Sequence, residues 1–280
     1  MLAVGDGSCF LLTIAPRRDE DRTRPHTIMF DCGSLAYLGV GVDTVTPALH
    51  QLGVRRIDSL ILSHADLDHF CGVLDVMDRV PVGRVLVPPQ LMAEAAHRSV
   101  DDPPAASFLI EQLRLRGKPI ETITRGWRTQ FGSATLEALW PPADFVAERA
   151  NDTSIVMSVR VALEDNQRRV LLNADIQQSA MTALLEGGVD LKADVSDLPH
   201  HGSFVRSSPK WLQAVDPVAV LQSCGRRRLR EDPWSELTHP RGIRHFITAR
   251  HGMVELMINV NGDLQWRTFH DDSDMEKAPP

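Results

Sequence analysis

Apolar positions in this chain fall into short, strand-sized runs separated by charged or proline-rich breaks. Residues 9–14 are mostly apolar, 17–24 are charged, and 27–30 are apolar again before Asp31-Cys32-Gly33. That order predicts a hairpin with the charged stretch at its tip. Val45, Ala48, Leu49 and Leu52 recur at helical spacing before Gly53, which predicts a helix over 44–52 closed by glycine. A buried strand at 57–62, a helix at 70–79 and a strand at 84–87 follow. Proline pairs at 88–89, 103–104 and 141–142 mark loops, and 108–115 between them reads as helix.

The second half repeats this style without repeating the sequence. Strands are predicted at 155–163, 169–172, 194–198 and 218–222, with helices at 179–185 and 210–214. Strands at 254–260 and 264–269 would close a hairpin around Asn261-Gly262. Two halves of mixed strand and helix predict a layered α/β sandwich. A single domain is expected over 1–270, with a polar, frayed tail at 271–280.

The chain has 280 residues, 30 Lys plus Arg against 37 Asp plus Glu, and a formal net charge of −7. A strongly basic protein that wraps nucleic acid is excluded. With 43% hydrophobic and 24% charged residues, disordered and fibrous classes fit poorly. The apolar runs are far below the roughly 20 residues a membrane-spanning helix needs, so no membrane anchor is expected within the chain. The N-terminus shows no basic segment followed by an apolar stretch and a cleavage site. Cys9, Cys32, Cys71 and Cys224 form no Cys-x-x-Cys pair, which favours buried free thiols over a zinc ribbon or a disulfide scaffold.

Chemistry gathers where strands end. His64, Asp66, Asp68 and His69 form H-x-D-x-D-H directly after the strand at 57–62. Four nitrogen and oxygen donors within one turn suit Zn²⁺, Mn²⁺ or iron, and alternate side chains can face two adjacent ions. A helix cap would need one such residue, not four. Pro199-His200-His201-Gly202-Ser203 follows the strand at 194–198, and Asp175 ends the strand at 169–172 in the same way. Alone, the histidine pair would equally fit an exposed loop or a satisfied core histidine, and Asp175 a turn aspartate. Arg226, Arg227, Arg228 and Arg230 follow the strand at 218–222, either as phosphate contacts or as a solvated loop.

The order of these landmarks resembles the metallo-β-lactamase superfamily, and within it the carboxyl-terminal hydrolase domain of the ComEC family of competence proteins. The likeness rests on 4–8, 30–33, 60–69, Asn151-Asp152-Thr153-Ser154, Asp175, 199–203 and His239-Pro240. Asp66 stands where most of the superfamily has a second histidine. Thr238 and Asn173-Ala174 stand where the family usually has glycine or a threonine–glycine pair, and neither change removes a ligand.

The resemblance implies a four-layer αββα sandwich holding two divalent ions, Mn²⁺ or Zn²⁺. His64 and Asp66 would hold one ion, Asp68, His69 and His200 the other, and Asp175 would bridge them. The oxygen-rich first set favours Mn²⁺. Two ions about 3.5 to 4 Å apart can share a hydroxide and clamp a phosphate for in-line hydrolysis. Asp68, His201 and His239 are the catalytic candidates, and Asn151, Ser203, Arg226, Arg227 and Arg228 the substrate contacts. The implied activity is a DNA nuclease working beside a membrane channel that this chain does not contain. A short or single-stranded DNA is the expected partner, given the acidic balance. The domain would lie outside the cytoplasm as part of such a membrane protein and inside it as a stand-alone chain. Another hydrolase on the same fold, acting on a nucleotide, lactone, thioester or β-lactam, is the first rival, and a non-catalytic binding module the second.

Overall fold

The computed structural model describes residues 1–17, 20–21, 23–97, 104–164, 166–230 and 232–270. The tail expected at 271–280 and residues 18, 19 and 22 of the charged hairpin tip lie outside them.

Strands β1 (Phe10–Ile14), β2 (His26–Phe30), β3 (Ile57–Ile61), β4 (Val82–Val87) and β5 (Ile120–Thr122) form one sheet in that spatial order. The β1–β2 pair is the predicted antiparallel hairpin, and β2 to β5 run parallel. The second sheet contains β6 (Arg128–Phe131), β7 (Ala134–Trp140), β8 (Val156–Ala162), β9 (Gln167–Leu172), β10 (Val195–Asp197), β11 (Ala219–Gln222) and β12 (Arg244–Ile247). Its β6 to β9 half is antiparallel and its β9 to β12 half parallel. A separate hairpin pairs β13 (Val254–Ile258) with β14 (Leu264–Thr268).

Period-two alternation distributes side chains to two faces of each sheet. In β2, Ile28 and Phe30 enter the core between the sheets with Ile61, Leu86, Leu136, Met157 and Leu172. Met29 points the other way, into a core that the first sheet shares with Leu49, Val76, Leu109 and Leu113 of its covering helices. On the outer face of the second sheet, Val156 and Leu171 pack against Met181 and Leu184 of the helix Gln178–Glu186 and Trp211 of the helix Ser208–Val215. Helix, sheet, sheet and helix are therefore stacked as the expected four-layer αββα sandwich. All four cysteines are free thiols. Among the described residues, no helix is long and apolar enough to cross a membrane.

Three departures bear on the site. The helix expected at 70–79 begins at Leu67 and splits into Leu67–Phe70 and Val73–Met77, so Asp68 and His69 occupy a helical first turn. The break falls at Gly72, where a Cβ would lie 3.1 Å from Cys32 Sγ and 3.0 Å from Val40, and where the N–H bonds the Cys32 carbonyl instead. The helix expected at 44–52 starts as a π-helical turn, Gly41–Val45, before Thr46–Gln51. Pro89, read as a loop marker, instead begins the helix Pro89–Ala96, where its missing N–H costs nothing.

Candidate metal centre

Parallel strands in both sheets deliver side chains at their carboxyl ends, and the sandwich sets those ends against each other. Asp31 follows β2, residues 64–69 follow β3, Asp175 follows β9 and residues 198–201 follow β10. Asp68, His69, Asp175 and His201 are all buried, and one ligand-type atom from each lies within 4.8 Å of the other three. His201 Nε2 is 3.2 Å from Asp68 Oδ2 and 3.4 Å from Asp175 Oδ2, and His69 Nε2 is 3.2 Å from Asp175 Oδ1.

Each clustered histidine has its outer nitrogen tied down. Asp31 Oδ2 accepts Nδ1–H of His69 at 2.8 Å and the hydroxyl of Ser63 at 2.8 Å, while Oδ1 accepts the Ser63 backbone N–H at 2.7 Å. The Ser223 carbonyl accepts Nδ1–H of His201 at 3.0 Å. Both rings thus turn Nε2 toward the carboxylates, the arrangement that prepares an imidazole to hold a metal. His64 stands beside them, its ring centroid 4.2 Å from that of His69 and its Nδ1 3.0 Å from Ser63 Oγ. Asp66, 41% exposed, approaches His64 Nε2 at 3.4 Å.

His200 is held differently. Arg149 Nη1 donates to Gln177 Oε1 at 3.1 Å, which fixes that amide so that its Nε2 faces His200 Nδ1 at 2.7 Å. Nδ1 of His200 is therefore the acceptor, and the proton of the neutral ring sits on Nε2, 3.7 Å from Asp175 Oδ2. The four-residue cluster includes His201, while His200 Nε2 lies 3.7 Å from Asp175 at its margin. Both residues have left-handed backbone, with φ of 49° and 56°, and so does Asp31 at 59°. Such φ values are costly for non-glycine residues and tend to gather at functional sites.

Charge explains how this buried group is tolerated. Burial opposes ionisation of Asp175, but His201 and His69 beside it hold its carboxyl well below the usual range. Burial likewise works against a charged His69, yet Asp175 and Asp31 lift that imidazole well above its ordinary value. His201 is raised to about 9 by Asp175 and Asp68 against the same burial penalty. Asp68 is lowered, chiefly by His201 and His69 acting against burial. His200 is lowered by burial, with His201 and Arg228 adding repulsion.

The donor set fits a divalent cation. Nε2 of His64, Nε2 of His69 and Oδ1 of Asp175 are buried without a hydrogen-bond partner, a costly state that coordination would relieve. Imidazole and carboxylate together match zinc-type and manganese-type ions.

Of the other expected contacts, Arg228 Nη1 donates to Ser203 Oγ at 2.7 Å, next to the histidine turn. Arg226 and Arg227 are exposed on the short helical turn Arg226–Arg230. Asn151 is half-buried in the turn Ala150–Thr153, whose next residue, Asp152, accepts N–H groups from Gln177 and Ala180. His239 is exposed and stands near enough to His245 to repel a proton there, and the structure does not bring it into the cluster. Asp31 and Gln177 were missed at the sequence level. Asp31 did carry a signal, a carboxylate ending a strand, whereas Gln177 carried none.

Residues 20–145 match the family described as the metallo-beta-lactamase superfamily. The chain is 24% identical over 228 residues to ComE operon protein 3 of Bacillus subtilis (strain 168), covering 81% of this chain and 27% of that protein. It is 25% identical over 246 residues to competence protein ComA of Neisseria gonorrhoeae, covering 88% and 30%. The chain thus spans less than a third of the length of these relatives. The solved structure of the metallo-beta-lactamase fold protein YhfI from Bacillus subtilis aligns over 88% of this chain and 94% of its own, at 12% identity and a TM-score of 0.48. The fold, the ligand-type residues at its strand ends and the sequence matches make the chain similar to the metallo-beta-lactamase superfamily and to the competence proteins.

Proposed function

We propose that the chain is a metal-dependent phosphodiesterase that cuts DNA. The observation that carries this reading is the buried cluster of Asp68, His69, Asp175 and His201, its imidazole Nε2 atoms aimed at shared carboxylate oxygens. His64, whose ring lies 4.2 Å from that of His69, and Asp66 beside it would form a second site, with Asp175 as the bridging ligand. Divalent ions held there supply a water activated at neutral pH and positive charge for phosphate oxygens. Mn²⁺ is the ion expected to support activity, because half or more of the donors are carboxylates.

The remaining roles belong to side chains around the cluster. His200, kept neutral by burial and with its proton on Nε2, donates a hydrogen bond to a non-bridging phosphate oxygen. Arg228, braced on Ser203, neutralises phosphate charge at the same turn. Asn151, Arg226 and Arg227 are outer contacts. The likeness to competence proteins supports DNA over lactone, thioester or β-lactam substrates.

The test is incubation of purified protein with end-labelled single- and double-stranded DNA in Mn²⁺, Zn²⁺ or EDTA, alongside Asp175→Asn. Mn²⁺-dependent cleavage by the wild type, absent in EDTA and reduced at least about 100-fold in the variant, is expected. Wild type and variant that are equally inactive with both metals would overturn the nuclease reading.

A further inference from the structure

The histidine turn leads directly to an aromatic ring in solvent. His201 and Gly202 are buried, Ser203 is half-buried, and Phe204 is 42% exposed. The ring is nevertheless anchored. It makes an edge contact with Trp234, centroids 5.4 Å apart and planes at 72°. Trp234 is fully buried and donates its indole N–H to the Gly202 carbonyl at 2.9 Å. Phe204 is thus held against Trp234 while 42% of its surface stays exposed.

A single exposed phenylalanine has no meaning by itself. Here its neighbour does: Ser203, one residue before it, accepts a hydrogen bond from Arg228 at 2.7 Å. Arg228 belongs to a turn with Arg226, Arg227 and Arg230, a concentrated positive charge on a chain whose net charge is −7. A part-exposed, anchored aromatic ring, one residue from the serine that holds a guanidinium and next to the histidine turn, has the two features that recognise a nucleotide unit: a stacking surface for the base and a cation for its phosphate.

We propose that Phe204 and Arg228 form a subsite for an unpaired nucleobase and its phosphate, so that single-stranded nucleic acid is the preferred substrate. This rests on the phosphodiesterase reading and adds a substrate class to it. Bases inside a duplex have both faces covered by their neighbours, so only an unpaired base can lie on Phe204. Phe204 is the specificity-determining contact, and Arg228 holds phosphate whatever base it carries.

The subsite is tested by fluorescence anisotropy in EDTA, where cleavage does not interfere. The probes are a labelled oligo-dT, an abasic sugar-phosphate chain of equal length and a blunt duplex. The wild type should bind oligo-dT about tenfold more tightly than the abasic chain and the duplex. Phe204→Ala should erase that preference, Phe204→Trp should keep it, and Arg228→Gln should weaken oligo-dT and the abasic chain alike. A wild type that binds oligo-dT and the abasic chain equally overturns the subsite, as does Phe204→Ala with the preference intact. Tight, Phe204-dependent binding by a protein that cuts no DNA with any divalent ion refutes the nuclease reading alone. Cleavage without base preference refutes the subsite alone.

Discussion

Asp31 never touches the cluster's interior, yet Asp31→Asn is expected to impair metal binding as severely as loss of a weak ligand. Its carboxylate accepts three hydrogen bonds: Nδ1–H of His69, the Ser63 hydroxyl and the Ser63 backbone N–H. Asparagine keeps one oxygen for the buried Ser63 N–H, so the loop after β3 retains its backbone support. The amide nitrogen then faces His69 Nδ1, where two N–H groups cannot meet. The ring responds by placing its proton on Nε2, the nitrogen that looks toward Asp175, and an Nε2–H cannot hold a cation. Removing such a supporting partner typically costs about 10- to 100-fold in metal affinity, or roughly 1.4 to 2.8 kcal/mol. Competition between the protein and a metallochromic dye for Mn²⁺ or Zn²⁺ measures this directly, and thermal unfolding in EDTA separates it from a folding defect. A variant that unfolds like the wild type and binds the metal with unchanged affinity would refute the assignment of Asp31 as the group that orients His69.

Two further outcomes follow from the same geometry. Gly33→Ala would place a Cβ 2.5 Å from the Asp68 carbonyl carbon and 2.6 Å from the His69 nitrogen, both backbone atoms that cannot rotate away. A cost of about 1 to 3 kcal/mol is expected in chemical denaturation, with weakened metal binding, and an unchanged denaturation midpoint would show that the loop yields freely. His245 is held down to about 4 by burial, with His239 adding repulsion and the nearby Asp232 only partly compensating. Its ordinary value is 6.5, so the unfolded chain binds the proton more readily, and the stabilising contribution is complete above pH 6.5 and lost as pH falls toward 4. About 3 kcal/mol should disappear across that window. Urea midpoints measured against pH should flatten in His245→Gln, and parallel curves for the two proteins would sink the explanation.

The apolar runs at 60–62 and 218–221 made β3 and β11 legible, which is why both stand close to where the sequence places them. Strand β7 was not: Ala134, Leu136 and Ala138 alternate with half-buried Thr135 and Glu137, and alanine, leucine and glutamate favour helix equally well. Strand β12 offers only Phe246 and Ile247 as apolar residues and takes its shape from pairing with β11. Most of the candidate cluster was visible because ligand-type residues end strands. Which of His200 and His201 turns inward was not visible. The choice depends on Ser223 and Gln177, each more than twenty positions away, and on a left-handed turn that neither histidine favours.

The hydrogen-bonded pair of Asp68 and His201 is separated by 133 positions in the chain. Contacts of that span close a large loop and are among the last a chain can form. The carboxylates and imidazoles of the first sheet have no counterpart from the second until the two sheets dock. A nascent or partly folded chain therefore has only fragments of the cluster to offer a cation, and metal capture belongs to the end of folding. An ion held there would act as a latch on a completed sandwich and not as a nucleus for building it.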